Sequence, residues 1–145
     1  MFEHILVPTD GSEAAERAVD EAIALAEAAG ATVHALYVVD VRNYSTLSEE
    51  DWMTVQETVE DAGERAVERV ETRGREVGVE VTTTLEPGIP HSVILDYAER
   101  NDVDLVVMAT HGRTGLSHLL LGSVTEKVVR ASPIPVLTVR VGDDE

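Results

Sequence analysis

The hydrophobic positions along the chain follow two spacings, which predict strands and helices in alternation. Five short runs rich in apolar and β-branched residues predict strands at 3–7, 32–39, 79–85, 105–109 and 135–141. In the four segments between these runs, apolar residues recur every three or four positions, the spacing of one helix face. This alternation predicts an α/β fold, in which a parallel sheet carries helices on both faces.

Start and stop signals mark the ends of several predicted elements. Pro8 ends the first strand, because proline cannot donate to a central ladder. Either Asp10 or Ser12 can cap the first helix, and Gly30 stops it.

The second predicted helix is the longest, from a cap at Ser48 to a stop at Gly78. Gly63 and Gly74 are expected to weaken it by about 1 kcal/mol each relative to alanine. Its inward face is predicted to consist of Trp52, Val55, Val59, Ala62, Ala66 and Val70.

The segment after the fourth strand combines glycines with the start of a new helix. Gly112, Gly115 and Gly122 precede Ser123, which forms with Glu126 the S-x-x-E signature of a helix cap. Such a segment presents backbone N–H groups and the positive end of a helix dipole, which suits a phosphate. Neither G-x-x-x-x-G-K-[ST] nor G-x-G-x-x-G occurs here. On these residues alone, a phosphate site and a plain turn are equally well supported.

Two loops at carboxyl ends of predicted strands carry the unusual residues, at 8–12 and 109–123. Open parallel sheets bind ligands beyond the carboxyl ends of strands, where the strand order reverses. If the first and fourth strands are neighbours, these loops face each other across one crevice. Asp10 would then lie at its rim, and Val38 would form a side wall. This arrangement favours the phosphate site over the plain turn.

Length and composition limit the classes of protein to which the chain can belong. Its 145 residues suit a single domain over 1–145, and the absence of cysteine excludes disulfides and thiolate chemistry. The N-terminus does not resemble a signal peptide, and no apolar run approaches a membrane span. We therefore expect a cytoplasmic protein.

The charge is strongly negative. There are 28 Asp and Glu against 11 Lys and Arg, for a formal net charge of −17. This balance argues against nucleic acid or an anionic membrane as the main partner. Lysine occurs once, as Lys127, and an acid-rich, lysine-poor surface is expected of a protein kept in solution in concentrated salt. A halophilic host is our hypothesis, and a merely solvated acidic surface is the alternative.

Several motifs together resemble the universal stress protein family over nearly the whole chain. They are ILVPTDGS at 5–12, VVD at 38–40, GIP at 88–90, DLVVM at 104–108, the glycine-rich segment at 112–123 and SPIPVL at 132–137. The resemblance implies a Rossmann-like domain whose open five-stranded parallel sheet has the order 3-2-1-4-5.

Some members of this family bind ATP and others do not. The binding members share the pattern Gly-x-x-Gly, nine residues, Gly-Ser/Thr, which Gly112, Gly122 and Ser123 match. Ala109 replaces the first glycine, and its methyl group would restrict the approach of backbone to phosphate. The resemblance also implies a Mg²⁺ or Mn²⁺ ion held mainly by phosphate oxygens and water.

The resemblance implies three groups of nucleotide-binding residues. Asp10 and the backbone at Pro8 and Thr9 would meet the adenosine, and the main chain of Val38 would meet the adenine. The implied site further comprises Met108, Ala109, His111, Gly112, Gly122, Ser123, Val124 and Thr125, most of them along the phosphates.

Plainer roles remain for some of these side chains. Asp10 has an alternative role as a simple helix cap. His111 and His118 are seven residues apart, but a metal pair there lacks an evident third ligand. His4 and His34 are expected to have structural or surface roles.

The function expected from these features is an ATP-binding stress-response regulator that acts through dimer and partner contacts. With no P-loop lysine and no evident base for water, we expect at most slow ATP hydrolysis. The alternative is a dimeric interaction module that binds no nucleotide, which Ala109 favours. A phosphotransfer receiver fits the alternation but needs an acceptor aspartate after the third strand, where Glu86 and Pro87 stand.

The last predicted strand lies at the chain end and is apolar, so it invites pairing with its copy in a second chain. Members of the family commonly dimerise through this strand. The predicted dimer edge comprises Val136, Leu137, Val139 and Val141.

Overall fold

The computed structural model describes residues 2–40, 42, 47–110 and 122–141. Its strands form one parallel sheet in the order β3-β2-β1-β4-β5. The predicted α/β alternation and the strand order implied by the family resemblance are both confirmed. The elements are β1 (His4–Pro8), α1 (Glu13–Ala29), β2 (Thr32–Val39), α2 (Glu49–Glu76), β3 (Val81–Pro87), α3 (Pro90–Arg100), β4 (Leu105–Ala109), α4 (Ser123–Ala131) and β5 (Val136–Val139).

β1 is the central strand, and its two neighbours come from distant parts of the chain. It pairs with β2 along its whole length, from His4 opposite Thr32 onward. On its other side, Ile5 lies opposite Leu105 in β4. The strands from the first half of the chain therefore lie on one side of β1, and those from the second half lie on the other.

Alternate strand residues face two separate cores. Ile5 and Leu105 belong to the first core, which α1 and α2 cover. Leu6 and Val106 belong to the second core, which α3 and α4 cover. Successive side chains of a strand point to opposite faces, so this alternation puts two helices on each face of the sheet.

Pro8 is part of β1, although the sequence predicted that it would end the strand. It lies opposite Leu36, and the neighbouring ladder bond runs from the Thr9 N–H to the Leu36 carbonyl oxygen at 2.9 Å. Because Thr9 donates this bond, the missing N–H of proline does not interrupt the ladder with β2.

β3 begins and ends two residues later than predicted, at Val81–Pro87 instead of 79–85. The Val79 N–H donates to the Gly74 carbonyl oxygen at 2.8 Å, so residue 79 belongs to the turn that closes α2. At the other end, Pro87 pairs with Val39 at the edge of the sheet. Proline is tolerated there because β3 is an edge strand.

β5 is shorter than predicted, at Val136–Val139 instead of 135–141. The Val141 N–H donates to the hydroxyl oxygen of Thr110 at 3.2 Å, not to a strand backbone. The ladder with β4 therefore ends at the pair of Ala109 and Val139.

The caps of α1 and α2 follow the prediction. Of the two candidates for α1, Ser12 is the cap, and its side chain accepts the Ala15 N–H at 3.1 Å. Gly30 ends α1 in the left-handed conformation. Ser48 caps α2 by accepting the Asp51 N–H at 3.1 Å.

The predicted cap at Ser123 is wrong by one residue. Gly122 is the cap of α4 and has an extended backbone, while Ser123 is the first helical residue. The Glu126 N–H donates to the Gly122 carbonyl oxygen at 2.8 Å. The Glu126 carboxylate pairs with Arg130, one turn onward, instead of reaching back to the start of the helix.

The predicted inward face of α2 is fully buried only in its second half, although Val59 in the first half also packs against the first core. Ala66 and Val70 are buried, and so are Gly63 and Gly74. Trp52, nearer the start of the helix, is half-buried. No helix in the described ranges is long and apolar enough to cross a membrane.

Candidate functional site

The candidate site lies at the carboxyl edge of the sheet, where β1 and β4 are neighbours. After β1 the chain passes to α1 on the first core, whereas α4 after β4 packs on the second core. The strand order reverses between these two strands, which is where open α/β sheets form a ligand crevice. We call this edge, between Pro8 and Ala109, the switch edge.

The loop after β1 is held by hydrogen bonds within itself. The Gly11 N–H donates to the Thr9 hydroxyl oxygen at 3.0 Å, and the Ser12 N–H donates to Asp10 Oδ1 at 2.9 Å. Gly11 has φ of +80°, a backbone conformation that residues other than Gly, Asn and Asp rarely adopt. Thr9 is buried, and Asp10 is half-buried beside it. Asp10 therefore shapes the turn before the helix, and Ser12 does the capping.

The first turn of α4 is fixed against the end of β4. The Thr125 hydroxyl donates to the Ala109 carbonyl oxygen at 2.8 Å, and the Gly122 N–H donates to the Thr110 carbonyl oxygen. The N–H groups of the first helical residues, Ser123 and Val124, have no acceptor within the helix. The switch edge thus receives a helix N-terminus in a fixed position.

Two apolar predicted site residues lie on the same face of the sheet. Met108 belongs to the second core, and Val38 packs against that core from the end of β2. Ala109 packs against the first core, on the opposite face. The structure therefore separates the methyl group of Ala109 from the side chains of Val38 and Met108.

A charged pair lies just beyond the end of β2. Arg42 donates to both carboxylate oxygens of Asp40, at 3.0 and 2.7 Å. These hydrogen bonds are the main reason why the pKa of Asp40 lies below its ordinary value. Asp40 thus remains ionised two residues from Val38.

Some predicted site residues lie outside the described ranges. They are His111 and Gly112, together with Gly115 and His118, so their roles stay predictions. Within the described ranges, no group of three or more His, Asp or Glu side chains could hold a metal ion.

Thr110 was not among the site residues predicted from the sequence. Its N–H donates to the Val139 carbonyl oxygen at 3.0 Å, and its hydroxyl oxygen accepts the Val141 N–H at 3.2 Å. It thereby joins the switch edge to the end of β5. The available signal was a hydroxyl residue directly after a buried strand, a position where side chains bond to nearby backbone.

With this geometry established, a sequence comparison identifies the family. The profile of the universal stress protein family matches residues 1–140. The chain belongs to the universal stress protein family. The Rossmann-like, five-stranded arrangement around β1 is therefore the universal stress protein fold.

This universal stress protein is similar to archaeal relatives over almost its full length. Universal stress protein MJ0531 of Methanocaldococcus jannaschii is 38% identical over 141 residues, which cover 97% of this chain and 83% of the relative. The solved structure of MJ0577 from the same organism has a TM-score of 0.88 and 35% identity, covering 99% of each chain. A universal stress protein solved in complex with cAMP has a TM-score of 0.74 and 24% identity, covering 95% of this chain and 97% of its own. That last likeness extends to the fold alone.

Proposed function

We propose that this universal stress protein binds ATP together with Mg²⁺ or Mn²⁺ at the switch edge. In this proposal it acts in the cytoplasm as a stress-response regulator, through contacts with its own copy and with a protein partner. Bound nucleotide would be the signal that these contacts report.

The observation that carries the proposal is that the loop after β1 and the N-terminus of α4 belong to adjacent strands at the reversal of strand order. The loop with Thr9 and Asp10 follows β1, and the N-terminus of α4 at Gly122 and Ser123 follows the adjacent β4. A helix N-terminus attracts phosphate because of its N–H groups and its dipole. A strand-order reversal is the usual ligand crevice of this class of sheet.

The apolar residues beside the crevice support an adenine base. Val38 and Met108 lie on the same face of the sheet; Met108 is buried in the second core, whereas Val38 is half-buried and keeps part of its apolar surface exposed. The main chain of Val38 lies near the end of β2, where backbone polar groups can pair with the edge of a base. In this assignment Asp10 and the backbone at Pro8 and Thr9 meet the adenosine.

The phosphates are assigned to the first turn of α4. Ser123 is exposed, and Val124 is half-buried beside it. The Thr125 hydroxyl donates to Ala109, so we expect Thr125 to contribute mainly its N–H group. A divalent ion fits this site as a counter-ion held by phosphate oxygens and water, because carboxylates are absent from the described first turn before Glu126.

Ala109 is the departure from the family pattern that argues against binding. Its methyl group packs against the first core, whereas Met108 faces the second. A side chain packed into the sheet layer restricts a phosphate less than one directed into the crevice. We therefore expect Ala109→Gly to change the affinity for ATP by less than about threefold.

Calorimetric titration with MgATP in molar KCl tests the proposal. The informative variant is Gly122→Asp, because aspartate is a favoured helix cap and should preserve α4. Its carboxylate would occupy the first N–H groups and repel phosphate. We expect at least a tenfold loss of affinity, about 1.4 kcal/mol.

Gly122→Asn is the matched control, since it has nearly the same size and capping ability without the charge. A folded parent that binds no MgATP, or a Gly122→Asp variant that binds as tightly as Gly122→Asn, would contradict the proposal.

The second candidate function is an interaction module that binds no nucleotide. It is favoured by the hydrogen bonds that already use the polar groups of Thr9, Asp10 and Thr125 within the protein. If the folded parent bound no nucleotide, the interaction module would be favoured over the ATP-binding regulator.

We further propose that two copies pair through β5. β5 is an edge strand of the sheet and carries the exposed side chain of Leu137. Val136, Val139 and Val141 are half-buried around it. An apolar edge with unpaired backbone groups is a template for pairing with another strand.

A further inference from the structure

We propose that Thr110 couples the nucleotide site to the end of β5, so that bound nucleotide orders the edge strand. This inference rests on the proposed function and adds a route by which binding alters the surface offered to a second copy. The two sites are the first turn of α4 and the segment 139–141, which we call the β5 end.

Three polar groups of Thr110 connect the β5 end to the start of α4. Its N–H donates to the Val139 carbonyl oxygen at 3.0 Å. Its hydroxyl oxygen accepts the Val141 N–H at 3.2 Å. Its carbonyl oxygen accepts the N–H of Gly122, the cap of α4. The β5 end and the start of α4 are therefore held by one residue.

A second connection runs parallel to the first. The Thr125 hydroxyl donates to the Ala109 carbonyl oxygen at 2.8 Å. Ala109 lies opposite Val139 in the last pair of the β4–β5 ladder. The first turn of α4 is thus attached both to the last ladder pair and, through Thr110, to the residues beyond it.

Beyond the ladder with β4, the hydrogen bonds recorded for the β5 end within the described ranges are made with Thr110, and Val139 also packs against the first core. The ladder stops at Val139, and the hydrogen bond recorded for the Val141 N–H ends on the Thr110 hydroxyl oxygen. Arg140, between Val139 and Val141, is exposed. Segments beyond the end of a ladder open at lower free-energy cost than the ladder itself, and their order follows that of the residues to which they are bonded.

A ligand at the first turn of α4 would strengthen the attachment. A phosphate that accepts the first N–H groups of α4 fixes the position of Gly122 and its bond to Thr110. Restricting Thr110 restricts the hydroxyl that holds Val141. Rigidifying one site thereby lowers the entropic cost of ordering the other, even without a change of mean structure. By linkage, pairing of β5 with a second copy would raise nucleotide affinity by the same factor.

Amide hydrogen exchange measured by NMR tests this coupling, with MgATP as the ligand. In the parent we expect saturating MgATP to slow exchange of the Val141 amide by at least about fivefold. Thr110→Val removes the hydroxyl at nearly constant size, so the slowing should shrink to less than about twofold. Thr110→Ser restores the hydroxyl and should restore most of the slowing. Calorimetry should give Thr110→Val an ATP affinity within about threefold of the parent.

Thr138→Val is the matched control within β5, since it also replaces a threonine hydroxyl by a methyl group. It should leave the response of Val141 to MgATP unchanged. A parent that binds MgATP without slower exchange at Val141 would overturn the coupling alone. Full slowing in Thr110→Val would do the same. Absence of MgATP binding to the parent would overturn the proposed function and the coupling with it.

Discussion

His34 is a buried titratable side chain with an aromatic neighbour on each side. Its Nε2 lies 3.1 Å from His4 Nδ1, and its Nδ1 lies 2.8 Å from the Tyr97 hydroxyl oxygen. The three rings join β1, β2 and α3 on the face of the second core. The pKa of His34 is below the ordinary histidine value, first because burial disfavours the charged form and second because of the neighbouring charge on His4.

This lowered pKa predicts a loss of stability in mild acid. Below about pH 6.5 residue 34 binds a proton in the unfolded chain but not yet in the folded chain. The free energy of unfolding should therefore fall as the pH drops below that value. It should level off below the folded-state pKa, and this group contributes a slope of at most about 1.4 kcal/mol per pH unit. Urea unfolding in molar KCl between pH 7.5 and 5 measures it.

His34→Gln should flatten that dependence, because glutamine keeps hydrogen-bonding groups but does not titrate. His91→Gln is the control, since His91 is half-buried at the start of α3, at the opposite end of that helix from Tyr97. The charged groups that contact this cluster are Asp104, which accepts the backbone N–H of His4, and Arg100, which lies over the Tyr97 ring. Identical pH profiles for the parent and His34→Gln would show that His34 is not the responsible group.

At the scale of elements, α2 packs on the sheet through glycines. A Cβ at Gly63 would lie 2.6 Å from the nearest Tyr37 ring atom, and one at Gly74 would collide with Val81. From the sequence, both glycines were predicted only to weaken the helix. Without side chains, these two glycines let the α2 backbone approach β2 and β3 more closely than any other residue would allow.

Gly63→Ala should therefore destabilise the protein, although alanine favours a helix. The propensity gain of about 1 kcal/mol is opposed by a clash with the Tyr37 ring, which overpacking data put at about 1–3 kcal/mol. We expect a net loss of about 1 kcal/mol in the free energy of unfolding, measured with urea.

Glu64→Ala is the matched control, because it changes the next, exposed residue of the same helix to the same side chain. It should change the free energy by less than about 0.5 kcal/mol. A Gly63→Ala variant at least as stable as the parent would refute the packing argument.

α1 and α2 are further joined by one carboxylate. The two oxygens of Glu16 lie 2.6 Å from Arg73 Nη2 and 3.3 Å from Arg69 Nε. Arg73 also reaches Asp20 on α1 at 3.0 Å. Because Glu16 is largely buried whereas both arginines are partly exposed, the bridge fixes the register of the helices more than it adds stability.

Hydrophobic spacing predicted which elements form, whereas contacts between distant residues decided where they end. The run at 105–109 is apolar at every position, and the strand there has the predicted bounds. The Val79 N–H is bonded to the Gly74 carbonyl oxygen at the end of α2, so β3 begins only after residue 79. The hydrophobic pattern at 79–85 gives no sign of this bond. The cap of α4 moved to Gly122, whose N–H is fixed by Thr110, twelve residues earlier in the chain.

The candidate site shows the same division. Asp10 and the start of α4 were predicted from turn and cap signals, which are local. Their meeting at one edge needed β1 and β4 to be neighbours, which the family resemblance supplied and spacing alone did not. Thr110 was missed because its role depends on β5, a strand about thirty residues away.

At the scale of the whole molecule, the net charge of −17 predicts a strong dependence of stability on salt. Like charges repel in the compact state, and salt at molar concentration screens them. We expect the free energy of unfolding to rise by at least about 2 kcal/mol from 0.05 to 2 M KCl. Urea unfolding across that range measures it.

A double variant, Glu57→Gln with Glu64→Gln, is the control for charge, since both residues are exposed and lie on the same helix. It removes two negative charges and should weaken the salt dependence. A parent protein equally stable at low ionic strength and in molar KCl would leave the halophilic hypothesis without support.

The proposed dimer makes a prediction about one backbone position. Val139 accepts the Thr110 N–H, and Pro135 accepts the Val106 N–H, so these odd-numbered residues face β4. In a parallel ladder the N–H of Thr138 then points to the free edge. Thr138→Pro should reduce the mass in solution from two chains to one, measured by sedimentation equilibrium.

Thr138→Ala keeps the N–H and should leave the mass unchanged. A folded Thr138→Pro protein with the mass of the parent would exclude pairing through this edge.

The position of β1 between β2 and β4 has a consequence for how the chain folds while the ribosome synthesises it. β1 can align with β2 once residue 39 has emerged, yet Ile5 must wait for Leu105 on its other side. Closing so long a loop is the slowest kind of contact to make, and until then one edge of the central strand is bare. The switch edge is therefore completed late in synthesis. A nascent chain cut short before β4 would hold most of the first core without the switch edge, so the nucleotide site that we propose there would be absent from it.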